Sequence, residues 1–306
     1  MSGYINRLQT MASASLLAED LGASVHYCWV PFPLVPGAPE DILATSFVEK
    51  HFIPTRQAES VTGLSLDEVP RYVGVDRARG TAWLRGHDRG EQALLPELMQ
   101  LLRTQSGVTT LVIVSGGTFA LDDQRSADER RRHWYQSLPL SSEIEARVAA
   151  ARAEHAEPYL GLHLRYTDRS LQAPDDSAIA SALESVARDS GLRSLFIASD
   201  TADATDRWTE RATSLGLEPW SIRPEALDRT DPRSSHGALV DWRLLGSAER
   251  LVYFEASSFA SEAACAAGAR DRSLALKPTA LQIRRRQAAA WMEAGSRRLR
   301  RAIPGR

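Results

Sequence analysis

The residues best suited to chemistry gather at the end of one apolar stretch. Residues 159–164 read Tyr-Leu-Gly-Leu-His-Leu, the composition of a short buried strand, and His163, Arg165, Asp168 and Arg169 crowd its carboxyl end. Charged side chains are seldom fully buried without partners, and ligands of α/β sheets bind at the carboxyl ends of strands. The stretch therefore predicts a strand that presents cations to a ligand, with a structural Arg–Asp salt bridge as the alternative.

Two later stretches also place polar residues just after a predicted strand. Residues 194–198 lead to Asp200, and residues 250–254 lead to Ser257 and Ser258. An acidic or hydroxyl side chain in such a position can hold a nucleotide, and it can equally cap the helix that follows. Both interpretations stay open for the stretch that ends in Asp200.

Taken in order, the stretches resemble three motifs of the fucosyltransferase superfamily, which includes α1,6-fucosyltransferases, bacterial nodulation fucosyltransferases and protein O-fucosyltransferases. The first is similar to the family's His-x-Arg-x-Thr-Asp peptide, and the second to a strand that closes in Ala-Ser/Thr-Asp. The third is similar to a helix with one Asp, here Asp241, followed by a strand and a Ser-Ser pair. The resemblance covers about half of the chain.

The resemblance implies a fold class and a reaction. The fold would be α/β, with two Rossmann-like domains facing across a cleft (GT-B-like) and a C-terminal helix packing back on the first domain. The activity would be inverting transfer of fucose or a related sugar from a GDP-sugar to a glycan, nucleoside or secondary-metabolite acceptor. No metal cofactor is expected, because the sequence has no Asp-x-Asp motif and the Arg165 guanidinium can grip a departing diphosphate in bidentate fashion instead.

The resemblance also implies roles for individual residues. The residues expected at the donor are Gly3, Asn6, Arg7, His163, Arg169, Asp200, Asp241, Ser257 and Ser258. Those expected in catalysis are Arg165, Asp168 and Asp175. Of these, His163 and Asp241 would contact guanine, because a carboxylate can accept hydrogen bonds from two guanine N–H groups. Structural alternatives stay open: Asp168 can hold a neighbouring Arg in place, and Asp241 can pair with Arg243.

The chain departs from the family pattern at several positions. Tyr166 stands where the family has a second Arg, and Ala173 stands where α1,6-fucosyltransferases have a catalytic Glu. Asp175 or Asp176 could take over from that Glu, and each could equally cap the following helix. Ile5 replaces a glycine of the family's donor loop, and no strand precedes that loop, so either the chain starts late or the strand is dispensable. Two further hypotheses remain: transfer of an ADP- or UDP-activated sugar, and nucleotide-sugar binding without catalysis.

Length and composition set the outer limits. A chain of 306 residues predicts two domains, namely an acceptor-side domain over 1–157 and a nucleotide-sugar domain over 158–306. The net charge of −2 gives no drive toward nucleic acid or an anionic membrane. No apolar run approaches the ~20 residues that span a bilayer, and no signal peptide is recognisable, so the cytoplasm is the expected location.

Periodicity adds an outline of the secondary structure. After residue 157, strands alternate with helices, which predicts a parallel sheet and a Rossmann-like domain. In the first half the pattern is weaker. It predicts a helix over 5–21, strands over 25–30 and 109–114, and, at the other end of the chain, a long basic helix over 280–303.

Overall fold

The structure is a computed structural model that describes residues 3–30, 37–86, 90–167, 173–223, 233–280 and 282–284. The helices, in chain order, are α1 (Tyr4–Asp20), α2 (Pro39–Ile42), α3 (Thr45–His51), α4 (Thr55–Thr62), α5 (Glu91–Thr104), α6 (Gln124–Ser137), α7 (Ser142–Glu154), α8 (Asp176–Ser190), α9 (Ala202–Ser214), α10 (Arg233–Leu245) and α11 (Ser258–Ala266). The strands are β1 (Tyr72–Asp76), β2 (Thr81–Arg85), β3 (Thr110–Val114), β4 (Leu160–Leu164), β5 (Ser194–Ser199), β6 (Glu218–Trp220), β7 (Arg250–Phe254) and β8 (Leu274–Leu276). The predicted α/β class is confirmed.

The chain divides into two compact units. Unit 1 comprises Met1–Ala156 and Arg223–Gly246, and unit 2 comprises Glu157–Ile222 and Ser247–Arg306. Helix α10 therefore belongs to unit 1, where it packs against α7 and α2. The assignment of the two halves of the sequence to acceptor and donor, and the cleft between two domains, stay predictions.

Unit 1 contains a small mixed sheet. Its strand order is β1-β2-β3, in which β1 runs antiparallel and β3 parallel to β2. The apolar side of α5, carried by Leu94 and Leu98, packs with Leu84 of β2 and with Phe119 in one buried cluster. The strand predicted over 109–114 is therefore present as β3, and its Leu111 and Ile113 pack against this cluster. Strand β1, the antiparallel partner of β2, was not predicted.

Residues 25–30 do not form the predicted strand. Tyr27 makes an isolated parallel bridge to Phe52, in which the Tyr27 N–H donates to the His51 carbonyl at 2.8 Å and the Ile53 N–H donates to the Tyr27 carbonyl at 2.9 Å. The Tyr27 and Phe52 rings pack with their centroids 5.3 Å apart. Tyr27, whose apolar neighbours indicated a strand, thus packs in an aromatic cluster and does not belong to a sheet.

Unit 2 is built on a parallel sheet with the strand order β6-β5-β4-β7-β8. Strand β4 lies in the middle, and every one of its residues is buried. A parallel strand covered on both faces is typically a continuous apolar run, which explains why residues 160–164 contain no charged side chain. Strand β8 at one edge was not predicted, because three residues are too few to show a periodic pattern.

The two faces of β4 are chemically different. Successive side chains of a strand point to opposite faces, so Leu160, Leu162 and Leu164 share one face, where they join a buried cluster with Ile197 and Trp208. His163 points to the other face. The sheet therefore places an imidazole on the side opposite to the leucine-lined core.

Two sequence-based expectations concern membranes and the C-terminus. In the described parts of the chain, no helix combines the length and the apolar character needed to cross a bilayer. Of the terminal helix predicted over 280–303, residues 280 and 282–284 are helical. The rest of it lies outside the described residues, so its packing on the first domain stays a prediction.

The position of Leu162 predicts a large loss of stability on truncation. Its side chain is fully buried in the central strand, and Leu→Ala substitutions at such sites cost about 3 kcal/mol because they remove apolar contacts and leave a cavity. In Leu162→Ala, amide hydrogen exchange of the β4, β5 and β7 peptides should show the free energy of opening reduced by that amount. The control Val61→Ala, at an exposed residue of α4, should change stability by less than about 0.5 kcal/mol. Equal effects of the two variants would contradict the assignment of β4 to the centre of the core.

Candidate active site

Strands β4 and β7 are neighbours at the point where the strand order of the sheet reverses. From β4 the chain proceeds outward through β5 and β6, and it then places β7 and β8 on the other flank of β4. The loops after the two strands at such a point part in opposite directions and leave a crevice that binds ligands. In this chain these loops begin at Arg165 and Glu255. The site predicted from residues 159–169 is therefore at the switch point of the unit 2 sheet.

His163 stacks on Phe259 at this crevice. The two ring centroids are 5.0 Å apart, and the planes differ by 22°. His163 is 7% exposed, and its Nδ1 has no hydrogen-bond partner among the described residues. Burial, reinforced by the positive charge of Arg165, lowers the pKa of His163 to about 4. The neutral imidazole thus packs against Phe259, whose phenyl ring is only half-buried and is suited to contact with a flat ligand.

Helix α11 begins directly after β7 and supplies both Phe259 and a set of backbone N–H groups. Ser257 is its N-cap residue, and the Ser257 hydroxyl accepts from the Ala260 N–H at 3.4 Å. The first N–H groups of a helix lack intrahelical partners and favour an anion. Sequence reasoning predicted Ser257 and Ser258 at this position, but it gave no role to Phe259. The position of Phe259 directly after the Ser-Ser pair was the signal in the sequence that could have placed it at the site.

The loop after β4 carries Arg165 and is held by Asp200. Arg165 is half-buried, and it lies close enough to His163 for its charge to lower the pKa of the imidazole. Asp200 follows β5, and its carboxylate accepts hydrogen bonds from the Tyr166 N–H at 2.9 Å, the Thr167 N–H at 3.0 Å and the Thr167 hydroxyl at 2.6 Å. Asp200, predicted to bind the donor, therefore contacts the backbone that carries Arg165.

An open pocket of about 460 Å³ lies beside Tyr166. Its walls include the carboxylates of Asp175, Asp176 and Asp203. Tyr166 accepts a hydrogen bond from the Trp208 Nε1–H at 3.3 Å, its hydroxyl lies 3.5 Å from Asp176 Oδ1, and burial raises its pKa. Tyr166 thus adds a neutral, hydrogen-bonded hydroxyl where the resembled family has a second guanidinium.

The residues expected in catalysis are only partly described. Asp175 is the N-cap residue of α8, and its carboxylate accepts a hydrogen bond from the Gln282 side chain. Ala173, which replaces the catalytic Glu of α1,6-fucosyltransferases, is 2% exposed and belongs to the unit 2 core. Asp168 and Arg169 lie outside the described residues. The structure therefore places Arg165 and Asp175, and it leaves the roles of Asp168 and Arg169 as predictions.

Carboxylates near the pocket are arranged for ion pairs. Asp176 lies 3.7 Å from the Arg207 guanidinium and 3.8 Å from that of Arg211. Within the described ranges, no group of three or more His, Cys, Asp or Glu side chains is placed to hold a metal ion. Positive charge at the crevice comes from Arg165 and the start of α11. The expectation of a metal-independent reaction stays a prediction.

Gly3, Asn6 and Arg7 lie at the start of α1 in unit 1. Gly3 is the N-cap residue, and its carbonyl accepts from the N–H groups of Asn6 and Arg7 at 3.1 and 3.4 Å. The Arg7 guanidinium lies 4.2 Å from the centre of the Trp29 ring and donates to the Val30 carbonyl at 2.9 Å. Arg7 is thus engaged within unit 1, and the contact of these residues with a donor stays a prediction.

Asp241 lies in α10 of unit 1, whereas His163 belongs to unit 2. Burial of the carboxyl group raises the pKa of Asp241 to about 8, and the charge of Arg147 in α7 opposes this shift. Arg243, the alternative partner considered from the sequence, donates to the Tyr135 carbonyl at 2.6 Å and to the Glu145 carboxylate at 3.1 Å. The raised pKa of Asp241 favours its protonated form at neutral pH.

Comparison with known proteins gives matches among solved structures. No protein-family model and no curated protein matches the chain. The α-1,6-fucosyltransferase NodZ co-crystallised with GDP matches with a TM-score of 0.57 at 19% identity, over 86% of this chain and 88% of that chain. Fucosyltransferase NodZ from Bradyrhizobium gives 0.56 at 19% identity, over 86% and 89%. The apo form of POFUT1 gives 0.51 at 14% identity, over 90% and 95%.

The chain therefore has the fold of the NodZ fucosyltransferases. The resemblance to the fucosyltransferase superfamily, inferred from three motifs, is confirmed at the level of the fold. The structural match extends over 86% of the chain and therefore includes much of unit 1. The resemblance found in the sequence covered only about half of the chain.

Protonation of Asp241 predicts that stability falls as the pH rises. Its pKa is about 8 in the folded chain and near 3.9 in an unfolded one. Between these values the folded chain binds the extra proton, so stability decreases across this window and the full loss is present above the folded pKa. Asp241→Asn should remove this decrease, which urea unfolding at about pH 5 and about pH 9 would measure. Glu129→Gln, at an exposed residue of α6, is the control; parallel pH curves for the parent and Asp241→Asn would disprove the assignment.

Proposed function

We propose that the chain is a metal-independent glycosyltransferase that moves fucose or a related sugar from a GDP-sugar to a hydroxyl group of a glycan, nucleoside or secondary metabolite. The observation that carries the proposal is the arrangement at the carboxyl ends of the neighbouring strands β4 and β7, where the His163–Phe259 stack, Arg165 and the start of α11 are found. A nucleoside diphosphate needs these groups, namely a flat partner for its base and cations and N–H donors for its phosphates. The matching NodZ structures, one co-crystallised with GDP and one soaked with GDP-fucose, support GDP as the nucleotide.

The proposed reaction is a single displacement at the sugar C1. The bond between C1 and the oxygen of the β-phosphate breaks, and its electron pair leaves with GDP. The acceptor oxygen forms a new bond to C1 from the opposite face, which inverts the configuration, and a base removes the acceptor proton. Arg165 and the N–H groups of α11 stabilise the negative charge that develops on the diphosphate. Residues 158–306 would bind the donor, and residues 1–157 the acceptor.

The base is assigned to Asp175. Asp175 and Asp176 both line the pocket beside Tyr166, but Asp176 lies within ion-pair distance of Arg207 and Arg211. These two guanidinium groups would compete with an acceptor hydroxyl for the Asp176 oxygens. Asp175, which lines the same pocket and accepts a hydrogen bond from the Gln282 side chain, is the residue to which we assign the base.

Arg165→Ala tests the proposed function. A hydrogen bond between charged groups contributes about 1.5 to 3 kcal/mol, so the variant should bind GDP about 10- to 150-fold more weakly. Titration calorimetry with GDP, UDP and ADP, each in EDTA and in the presence of a divalent cation, measures this. The control Arg188→Ala removes an exposed guanidinium from the last turn of α8 and should leave GDP binding unchanged. Preference of the unaltered chain for UDP or ADP, or a requirement for a divalent cation, would contradict the proposal.

Asp175→Asn tests the base. Loss of a general base lowers kcat by about 10²- to 10⁴-fold, while GDP affinity should change little because the substitution leaves Arg165 in place. Release of GDP from GDP-fucose measures turnover, and Asp206→Asn, at an exposed residue of α9, is the matched control. If Asp176→Asn causes the loss instead, the base is Asp176. If the unaltered chain binds GDP-fucose without any turnover, the chain is a binding protein. The replacement of the catalytic Glu by the buried Ala173 would then explain the missing activity.

A further inference from the structure

The Asp200 carboxylate continues the contact between β4 and β5 beyond the end of their ladder. The last backbone pair of the two parallel strands joins Leu164 to Ser199. Past this pair the backbones are no longer in register, but Asp200 accepts from the Tyr166 N–H, the Thr167 N–H and the Thr167 hydroxyl at 2.9, 3.0 and 2.6 Å. The side chain thus replaces the missing ladder and ties the first residues after β4 to the end of β5. We call these three hydrogen bonds the Asp200 clamp.

The clamp uses most of what the carboxylate can offer. A carboxylate has about four lone-pair positions, and the loop after β4 occupies three of them. An Asp that contacted a nucleotide through hydrogen bonds would need these positions for the ligand. Its charge would also repel a diphosphate, whereas Arg165, one residue before the clamped Tyr166, would attract it.

We propose that Asp200 is a positioning residue whose clamp on Tyr166 and Thr167 fixes the backbone that carries Arg165, so that the Arg165 guanidinium is pre-organised for the diphosphate of a nucleotide. Fixing a charged side chain before binding increases affinity, because less conformational freedom is lost when the ligand arrives. This role differs from the direct donor contact expected from the sequence, and it rests on the proposed function.

Asp200→Asn separates positioning from direct contact. The amide keeps the size of the carboxylate, but its NH₂ group cannot accept from a backbone N–H, so at least one bond of the clamp is lost. Thr167→Val removes the hydroxyl donor and leaves both backbone bonds, and Thr167→Ser restores the hydroxyl. Asp206→Asn, in helix α9, which begins just after Asp200, is the control for loss of a negative charge.

A double-mutant cycle with Arg165→Ala gives the decisive measurement. If Asp200 acts through Arg165, Asp200→Asn should weaken GDP binding about tenfold in the unaltered chain and less than about twofold in the Arg165→Ala background, with Thr167→Val intermediate and Thr167→Ser near the parent. Equal changes in both backgrounds, or tighter binding by Asp200→Asn, would overturn the positioning role. Absence of GDP binding by the unaltered chain would overturn the proposed function and the donor role of the clamp together.

Amide hydrogen exchange tests the clamp without any nucleotide. The Tyr166 and Thr167 amides should exchange at least about tenfold faster in Asp200→Asn than in the parent, with little change in β5 or β7. Unchanged exchange at these two amides would show that the clamp does not hold the loop, and it would overturn the inference even if GDP binds. Faster exchange throughout unit 2 would also overturn it, because Asp200 would then support the whole sheet rather than the segment that carries Arg165.

Discussion

The burial of β4 on both faces is the constraint on which the site depends. A strand in the middle of a parallel sheet has no solvent-exposed side, and β4 meets this condition with leucines on one face and His163 against Phe259 on the other. Charged side chains cannot appear until the strand ends. Arg165 is therefore the first residue at which the chain can place a cation, and it follows β4 at the switch of strand order between β4 and β7.

The same burial separates the electrostatic roles of neighbouring residues. His163 loses solvent and lies near Arg165, and both effects disfavour an imidazolium. The imidazole is left as a neutral aromatic partner for Phe259, and Arg165 carries a positive charge close to it. Asp200 lies near both residues, but its carboxylate is committed to the backbone of Tyr166 and Thr167. In this arrangement the Asp200 carboxylate contacts the segment that directly follows Arg165.

The sequence predicted unit 2 better than unit 1, for a physical reason. Each strand of a buried parallel sheet is an apolar run between helices, and this local signal located β7 at residues 250–254 and β4 within one residue. Residues 25–30 carry a similar apolar signal, but aromatic packing of Tyr27 and Phe52 uses it differently. Contacts between distant segments leave no periodic trace, so the stack of His163 on Phe259 and the hold of Asp200 on Thr167 appear only in the folded chain.

Ala173 shows how the core limits the chemistry of this chain. Its side chain belongs to the cluster formed by Leu162, Leu164 and Ile179, and it is almost completely buried. A glutamate on this backbone would bring a charge into apolar surroundings, at a cost of several kcal/mol unless it were protonated or paired. The apolar residue thus fits the packing of α8 against the sheet, and it removes this position as a source of a base. A transferase built on this backbone must take its base from residues beyond the core, and the chain places Asp175 and Asp176 where α8 begins, at the wall of the pocket beside Tyr166.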